Sequence, residues 1–409
     1  MEFEIFIVKK DTFELASYYD ETGQEAILKE LAARYGWLPV FEEDYVIGLQ
    51  RGDAAITLEP AGQIELSGAP YLKLQDCIKE YKQFLAELKS ICDPWGLGLM
   101  TLGYHPLGTI DSVPKIPKSR YKVLAGHLDT YGGPLAIHMM KLTTSIQTNI
   151  DYASEEDFRD KVRAASVLVP LLTAIYGNSP FYQNRESGYL SYRSHVWDNT
   201  DDARCGILKH SFIEDFGYED YVEYLLDIPM VMRYQGDEPI IMEGKPFRQY
   251  WHEDGASWDD WQLHMSFPFP EVRIKQYIEI RPCDNQRPEM AATIPALLKG
   301  LFYCPSSLKT FNELFKDISW EEAVELKSRA NKSGLHAGFR NRSLLDIACE
   351  VFTIAEDGLS QISPSDPFDK EILLPLKEYL FEKGCSPAEE LLNLVKGKNI
   401  RNLKDYLLI

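Results

Sequence analysis

Short runs with apolar residues at a spacing of two alternate along this chain with longer stretches whose apolar residues recur at three and four. Glu2-Phe3-Glu4-Ile5-Phe6-Ile7-Val8 opens as a strand. Ile27, Leu28, Leu31 and Tyr35 share one helical face, and Gly36 stops that helix. Two strand-like runs follow, Val46 to Gln50 and Ala54 to Leu66, with Arg51-Gly52-Asp53 as the turn between them. Leu74, Ile78, Tyr81, Leu85, Leu88 and Ile91 mark a longer helix that Asp93-Pro94 ends. A strand pattern spans Thr143 to Tyr152; a helix capped by Ser154 then runs toward Gly177, with a kink expected at Pro170. Strand-like runs surround Ile228 to Tyr234 and Ile274 to Arg281. Beyond about residue 287 the pattern turns helical, including Met290 to Leu301 and the 343–356 region. This order predicts an α+β fold, a mainly antiparallel sheet with flanking helices.

Residues two apart on a strand point to the same side. Four runs place polar pairs at that spacing: Glu2 and Glu4; Gln63, Glu65 and Ser67, with Glu59 upstream across a Pro-Ala-Gly bend; Gln147, Asn149 and Asp151; and Tyr277, Glu279 and Arg281. Any one pair describes the wet face of an ordinary antiparallel sheet. Together they predict a shared polar surface with excess negative charge, which raises carboxyl pKa values unless a cation sits among them. Magnesium, bound by carboxylates and substrate phosphates, suits such an oxygen-rich surface.

Composition narrows the partners. The 409 residues are 45% hydrophobic and 26% charged, which describes a globular chain. A net charge of −20 argues against nucleic acid, though it leaves room for a small anionic substrate held by local cations. The first residues show neither a basic segment nor an apolar run, and no window resembles a membrane span, so no membrane partner is expected. Seven scattered cysteines form no Cys-x-x-Cys pair, and a reducing cytoplasm is the expected setting. There is no P-loop, no Gly-x-Gly-x-x-Gly after a strand and no His-x-x-x-His pair, so dinucleotide binding and a zinc peptidase have no support.

Longer stretches carry a resemblance. Ile56-Thr-Leu-Glu59-Pro-Ala-Gly-Gln63-Ile-Glu65-Leu-Ser67-Gly-Ala-Pro70, Gln147-Thr-Asn149-Ile-Asp151, Gly177-Asn178-Ser179-Pro180-Phe181 and Ser191-Tyr-Arg193-Ser194-His195-Val-Trp197 resemble the plant-type glutamate–cysteine ligases. Asp198 to Gly206, Tyr221 to Met230, Phe247-Arg248 and Phe269 to Arg281 continue the match in order, over roughly residues 1 to 355. The resemblance implies a glutamine-synthetase-like catalytic fold, a curved antiparallel sheet whose concave face holds magnesium, ATP and glutamate. It implies Glu2, Glu4, Glu59, Glu65, Gln147 and Glu279 as magnesium ligands and Arg281 at the transferred phosphate, with Glu279 and Arg281 catalytic. It implies substrate contacts from Arg193, Trp197 and Arg248, and L-cysteine as the acceptor amine. Tyr192, Trp197 and Tyr224 are candidate walls for the cysteine side chain, and Gly255 to Trp261 is a candidate lid.

Three features depart from the family. Glu2 directly follows Met1, Leu142 stands where plant members have arginine, and Pro282-Cys283 replaces a Gly-Ala pair. Cys283 is expected to be a small buried residue. Two rival readings are a ligase of this fold that uses another amine, and a binding protein that has lost turnover. A catalytic domain over 1–355 and a helical extension over 356–409 packed on it complete the expectation.

Overall fold

A computed structural model describes residues 1–236, 238–242, 244–364, 368–396 and 399–409. The alternating runs become one nine-stranded sheet: β1 (Glu2–Lys9), β2 (Leu38–Glu42), β3 (Tyr45–Arg51), β4 (Ala54–Leu58), β5 (Ile64–Ser67), β6 (Leu97–Met100), β7 (Ser145–Ile150), β8 (Val272–Ile274) and β9 (Ile278–Asp284). Its order is β8-β9-β7-β1-β5-β4-β3-β2, with β6 beside the second half of β1. Every neighbouring pair is antiparallel. The expected α+β fold with a mainly antiparallel sheet is the one observed.

Register sorts the two faces. Phe3 lies opposite Leu66 and Ile146, Leu66 opposite Ile56, and Ile150 opposite Ile278. This apolar face is covered by α1 (Gln24–Tyr35), α2 (Leu74–Cys92), α4 (Glu155–Ile175) and α6 (Pro288–Phe302), whose buried residues share one core with it. Three further helices enter below: α3 (Ser119–Tyr131), α5 (Tyr192–Trp197) and α7 (Trp320–Ser333). Phe3 is fully buried and meets Tyr81 edge-on at 4.7 Å and Phe84 at 6.4 Å between ring centres. Ser154 caps α4 by accepting the Asp157 N–H at 3.2 Å, and Pro170 lies inside that helix, which runs on to Ile175.

Some expectations need correcting. The run from Ala54 to Leu66 is two strands, because Pro60 has no N–H to donate and Gly62 turns the chain at φ 82°. Glu59 therefore stands in a tight turn, its N–H donating to the Gln63 carbonyl at 2.9 Å. Between Ile228 and Tyr234 only Met232 onward is a strand, in a separate hairpin of Met232–Gln235 with Glu238–Ile241. The boundary expected after residue 355 falls inside α8 (Leu344–Ile362), whose Phe352, Ala355 and Leu359 lie in the main core. The final segment returns to the sheet: Leu391, Ile400 and Leu407 pack with Phe6, Val8 and Met100, and the Ile409 N–H donates to Leu99.

Phe3→Ala is expected to lower unfolding free energy by about 3–5 kcal/mol, the usual cost of emptying a buried phenylalanine site. Urea denaturation with an unchanged slope checks it; a loss under 1 kcal/mol would mean that the apolar face does not close on Phe3.

Candidate active site

The polar face floors a cavity of about 1510 Å³. Opposite residues share a face, and the register brings together the four polar pairs read from the chain. Glu4 lies opposite Glu65, Glu2 opposite Ser67 and Gln147, Asn149 opposite Glu279, and Glu279 opposite Arg273. Glu2, Glu4, Glu59, Glu65 and Gln147 line the cavity with Arg193, Trp197 and Arg281.

The acidic side is tightly bonded. Glu4 accepts the Ser145 N–H at 2.7 Å and the Gln147 amide at 3.0 Å. Glu65 accepts hydroxyls from Thr57 at 3.1 Å and Ser67 at 2.9 Å, and Glu2 accepts from Asn149 at 3.1 Å. Burial first, and then repulsion between these acids, raises Glu4 and Glu59 to about 7 and Glu65 to about 8. Among the described residues no three acidic, histidine or cysteine side chains converge as a finished metal site. The donor set nevertheless fits a hard divalent cation, since it is all oxygen and crowds more negative charge onto one face than its neighbours neutralise.

A cationic side faces it. Glu279 is fully buried and outside the cavity lining. Its carboxylate accepts from Arg273 at 2.5 and 3.0 Å, Lys275 at 2.8 Å and Arg281 at 2.6 Å. Burial alone would raise its pKa, but Arg281, Arg273 and Lys275 outweigh burial and hold it well below the usual carboxylate range. Both its oxygens are thus occupied, so Glu279 serves here as the counter-ion that fixes the arginines, not as an open metal ligand. The cavity meets Arg273, Lys275 and Arg281 instead. Arg281 also donates to the Gln147 side-chain oxygen at 2.6 Å.

Helix α5 carries Arg193 and Trp197, and its position depends on buried Asp284. That carboxylate accepts the Asn178 N–H at 2.8 Å, the Ser179 hydroxyl at 2.6 Å and the Ser191 hydroxyl at 2.9 Å. The same two hydroxyls accept the backbone N–H groups of Arg193 and Ser194, capping the helix. A β-carbon on Gly103 would lie 2.4 Å from Asp284, so that position admits no larger residue without a shift. The other end of α5 is tied to α7 through Asp198, which pairs with buried Lys327, itself paired with Glu271. Trp197 stands between the guanidinium groups of Arg193 and Arg281, at 5.9 and 5.8 Å. The Trp197 Nε1 and Arg193 Nε donors have no partner, which leaves them available to an anionic ligand.

Arg248 stands apart. It is outside the lining, and its guanidinium is engaged by Asp227 at 2.7 Å and Glu223 at 2.6 Å on the surface. Tyr192 packs among Tyr104, Tyr182 and His195, and Tyr224 against His210 and Tyr221; of the three candidate walls only Trp197 lines the cavity. Gly255 to Trp261 joins two surface helices and contributes nothing to the lining. Leu142 is fully buried in an apolar cluster. Lys118 and Arg120, at the start of α3, line the cavity although they share no strand spacing with the acids. Arg273 and Lys275, two residues apart, continue the same-face rule and could have been found by it.

The whole chain has relatives. The description of glutamate–cysteine ligase family 2 matches residues 1–405. The chloroplastic glutamate–cysteine ligase B of rice (Oryza sativa subsp. japonica) is 35% identical over 380 residues, covering 91% of this chain and 75% of the relative. The chain belongs to glutamate–cysteine ligase family 2. The chloroplastic ligase of Arabidopsis thaliana is 34% identical, covering 93% of this chain and 73% of that protein. The crystal structure of a glutamate–cysteine ligase from Francisella tularensis in complex with AMP aligns with a TM-score of 0.60. It covers 100% of this chain and 86% of the other at 12% identity, a likeness of fold. Family membership makes the chain a ligase, and the two-sided cavity is its candidate active site.

The raised carboxyl pKa values carry a signed consequence. Between the unfolded value near 4.5 and the folded values of about 7 to 8, the folded state binds more protons. Without metal, stability should therefore fall as pH rises through that window. Glu279 acts oppositely and below it, losing its contribution only as pH drops under the ordinary carboxylate value. Melting in EDTA at pH 5.5 and pH 8 checks the first sign. Added magnesium should raise the melting temperature more at pH 8, and equal gains at both values would contradict the shared-cation reading.

Proposed function

We propose that this cavity joins the γ-carboxyl of glutamate to the amine of L-cysteine, driven by ATP, as the first step of glutathione synthesis. The carrying observation is the facing arrangement of an acidic sheet surface and an arginine cluster in one cavity of a family 2 ligase. A carboxylate is a poor acylating agent. Its γ-oxygen therefore attacks the γ-phosphorus of ATP and releases ADP; the cysteine amine then attacks the acyl phosphate, phosphate leaves and the nitrogen loses a proton.

Magnesium is part of the proposal, and Glu2, Glu4, Glu59, Glu65 and Gln147 would hold it. When bound, it neutralises charge on the nucleotide phosphates. Arg281, aimed by Glu279 and Gln147, supports the charge that spreads over the transferred phosphoryl group. Arg193 and Trp197 offer their unpartnered N–H donors to the carboxylate substrate. Residues 1–355 supply all but a few of the lining residues, and we assign them the catalysis; Ser363 and Asp369 bring the following segment to the rim. The cytoplasm is the proposed setting, in keeping with seven free cysteines; the plant relatives bear chloroplastic names. Among the described residues no helix is long and apolar enough to cross a membrane.

Glu279→Gln should lower kcat by about 10²-fold or more, because Arg281 and Arg273 lose their common anion. Arg248→Ala, at a surface ion pair, should change kcat/KM by less than about threefold. Steady-state release of phosphate from ATP with glutamate and cysteine checks both; a large loss in Arg248→Ala would bring that residue back to the substrate.

Acceptor choice is tested by kcat/KM for cysteine, 2-aminobutyrate, serine and simple amines. Cysteine should lead 2-aminobutyrate by about 1–3 kcal/mol at most, since a thiol and a methyl differ little in an apolar pocket. Serine should be poorer, its hydroxyl being desolvated without an assured partner. A different amine in the lead would assign the cavity to another γ-glutamyl ligation.

A further inference from the structure

A second cavity, of about 480 Å³, shares no lining residue with the first. It lies where β9 gives way to α6 and the C-terminal segment packs nearby, with Gln286, Arg287 and Glu289 in its wall. Met290, Leu374 and Pro375 supply apolar surface.

Three groups there are unspent. Helix α6 begins at Pro288 with no side chain capping it, so the amides of its first turn lack an intrahelical acceptor and favour an anion. Arg287, just before that turn, rests over the Tyr406 ring at 5.1 Å and has no carboxylate partner among the described residues. The Gln286 carboxamide is 1% exposed and its Oε1 has no hydrogen-bond donor. Its orientation is settled, because Nε2 donates to the Tyr176 carbonyl at 2.6 Å and the Asp284 carbonyl at 3.3 Å, and a flipped amide would set oxygen against oxygen. A buried acceptor left unmet in this way calls for a donor from outside the chain.

The remaining charges separate the ligand's two ends. Glu390 accepts from Tyr379, from Tyr406 at 2.9 Å and from Lys383 at 2.9 Å, and Lys383 also pairs with Glu378 at 3.0 Å. That set is satisfied within itself. Glu289 forms no ion pair among the described residues and stands two positions from Arg287. One free cation beside an uncapped helix start, and one free carboxylate beside an unmet acceptor, match a zwitterion.

The geometry points to a binding site for a small α-amino carboxylate. Its carboxylate meets Arg287 and the first turn of α6; its ammonium meets Gln286 Oε1 and Glu289; its side chain rests on Met290 and Leu374. The site adjoins the catalytic sheet through Asn285, whose Nδ2 donates to the Glu4 carbonyl at 2.7 Å.

Saturation-transfer NMR of L-alanine with the full-length protein tests this without reference to ligation. Alanine should bind saturably. Arg287→Ala and Leu374→Trp, the latter at an exposed rim position, should each weaken it at least tenfold while urea unfolding stays cooperative. Arg193→Ala, in the first cavity, should leave it unchanged. Propionate, which lacks the ammonium, should bind at least tenfold more weakly than alanine. If either variant unfolds, the other decides. Absence of saturable binding, equal binding in the rim and arginine variants, loss in Arg193→Ala, or propionate binding as tightly as alanine would each overturn the proposal.

Discussion

Antiparallel register is the constraint from which the rest of this structure descends, because residues directly opposite one another on neighbouring strands must share a face. Glu4 opposite Glu65, Glu2 opposite Gln147 and Asn149 opposite Glu279 put three separate stretches of chain on one polar surface. The same pairings put Phe3, Leu66, Ile146 and Ile278 on the other. A slip by one residue in β1 would send Glu2 and Glu4 into the apolar core and Phe3 into the cavity. Core and site are therefore specified by one alignment. A single irregularity is built into it: the pairing of β9 with β7 shifts between Ile280 and Cys283, where Pro282 sits. That shift turns Cys283 to Ile146 on the apolar face and sets Asp284 opposite Ser145 on the polar one. The departure from the family at Pro282-Cys283 thus falls at the bulge that delivers Asp284.

Charge is organised locally. The chain carries a net −20, yet Lys118, Arg120, Arg193, Arg273, Lys275 and Arg281 all reach one cavity. Distant surface acids are screened beyond about 8 Å at physiological salt, whereas a charge at 4 Å counts for about 4 kcal/mol at an effective dielectric constant of 20. Near neighbours consequently decide what the cavity binds. Within it the two kinds of carboxylate diverge. Glu279 meets three cations and stays ionised, while Glu4, Glu59 and Glu65 meet mainly one another and are raised. The first is matched inside the protein. The others are matched by what the protein binds.

Helix α5 is held by hydroxyls that each perform two tasks. Ser179 and Ser191 donate to Asp284, which directs their lone pairs toward the backbone N–H groups of Arg193 and Ser194. At the other end Lys327 is shared by Asp198 and Glu271. Breaking a buried ionic contact by removing one partner typically costs about 3–5 kcal/mol, so this short helix has little freedom to move Arg193 and Trp197.

Alternation at a spacing of two determined, from the chain alone, which residues would share a face: Glu2 with Glu4, Glu65 with Ser67, Gln147 with Asn149, Glu279 with Arg281. Colinear motifs added the family, and with it the expectation of a ligase. Spacing is a local property of the backbone, and it survives into the fold because the strand pleat imposes it. Which faces meet is not local. Only tertiary structure buried Glu279 beneath Arg273, Lys275 and Arg281, left Arg248 outside with Asp227 and Glu223, and brought Lys118 and Arg120 across from a helix. It also joined Asp284 to Ser179 and Ser191, which lie about a hundred residues earlier. The physical reason is that a side chain's role depends on its dielectric surroundings and its partners, and both are assembled from segments that chain order keeps apart.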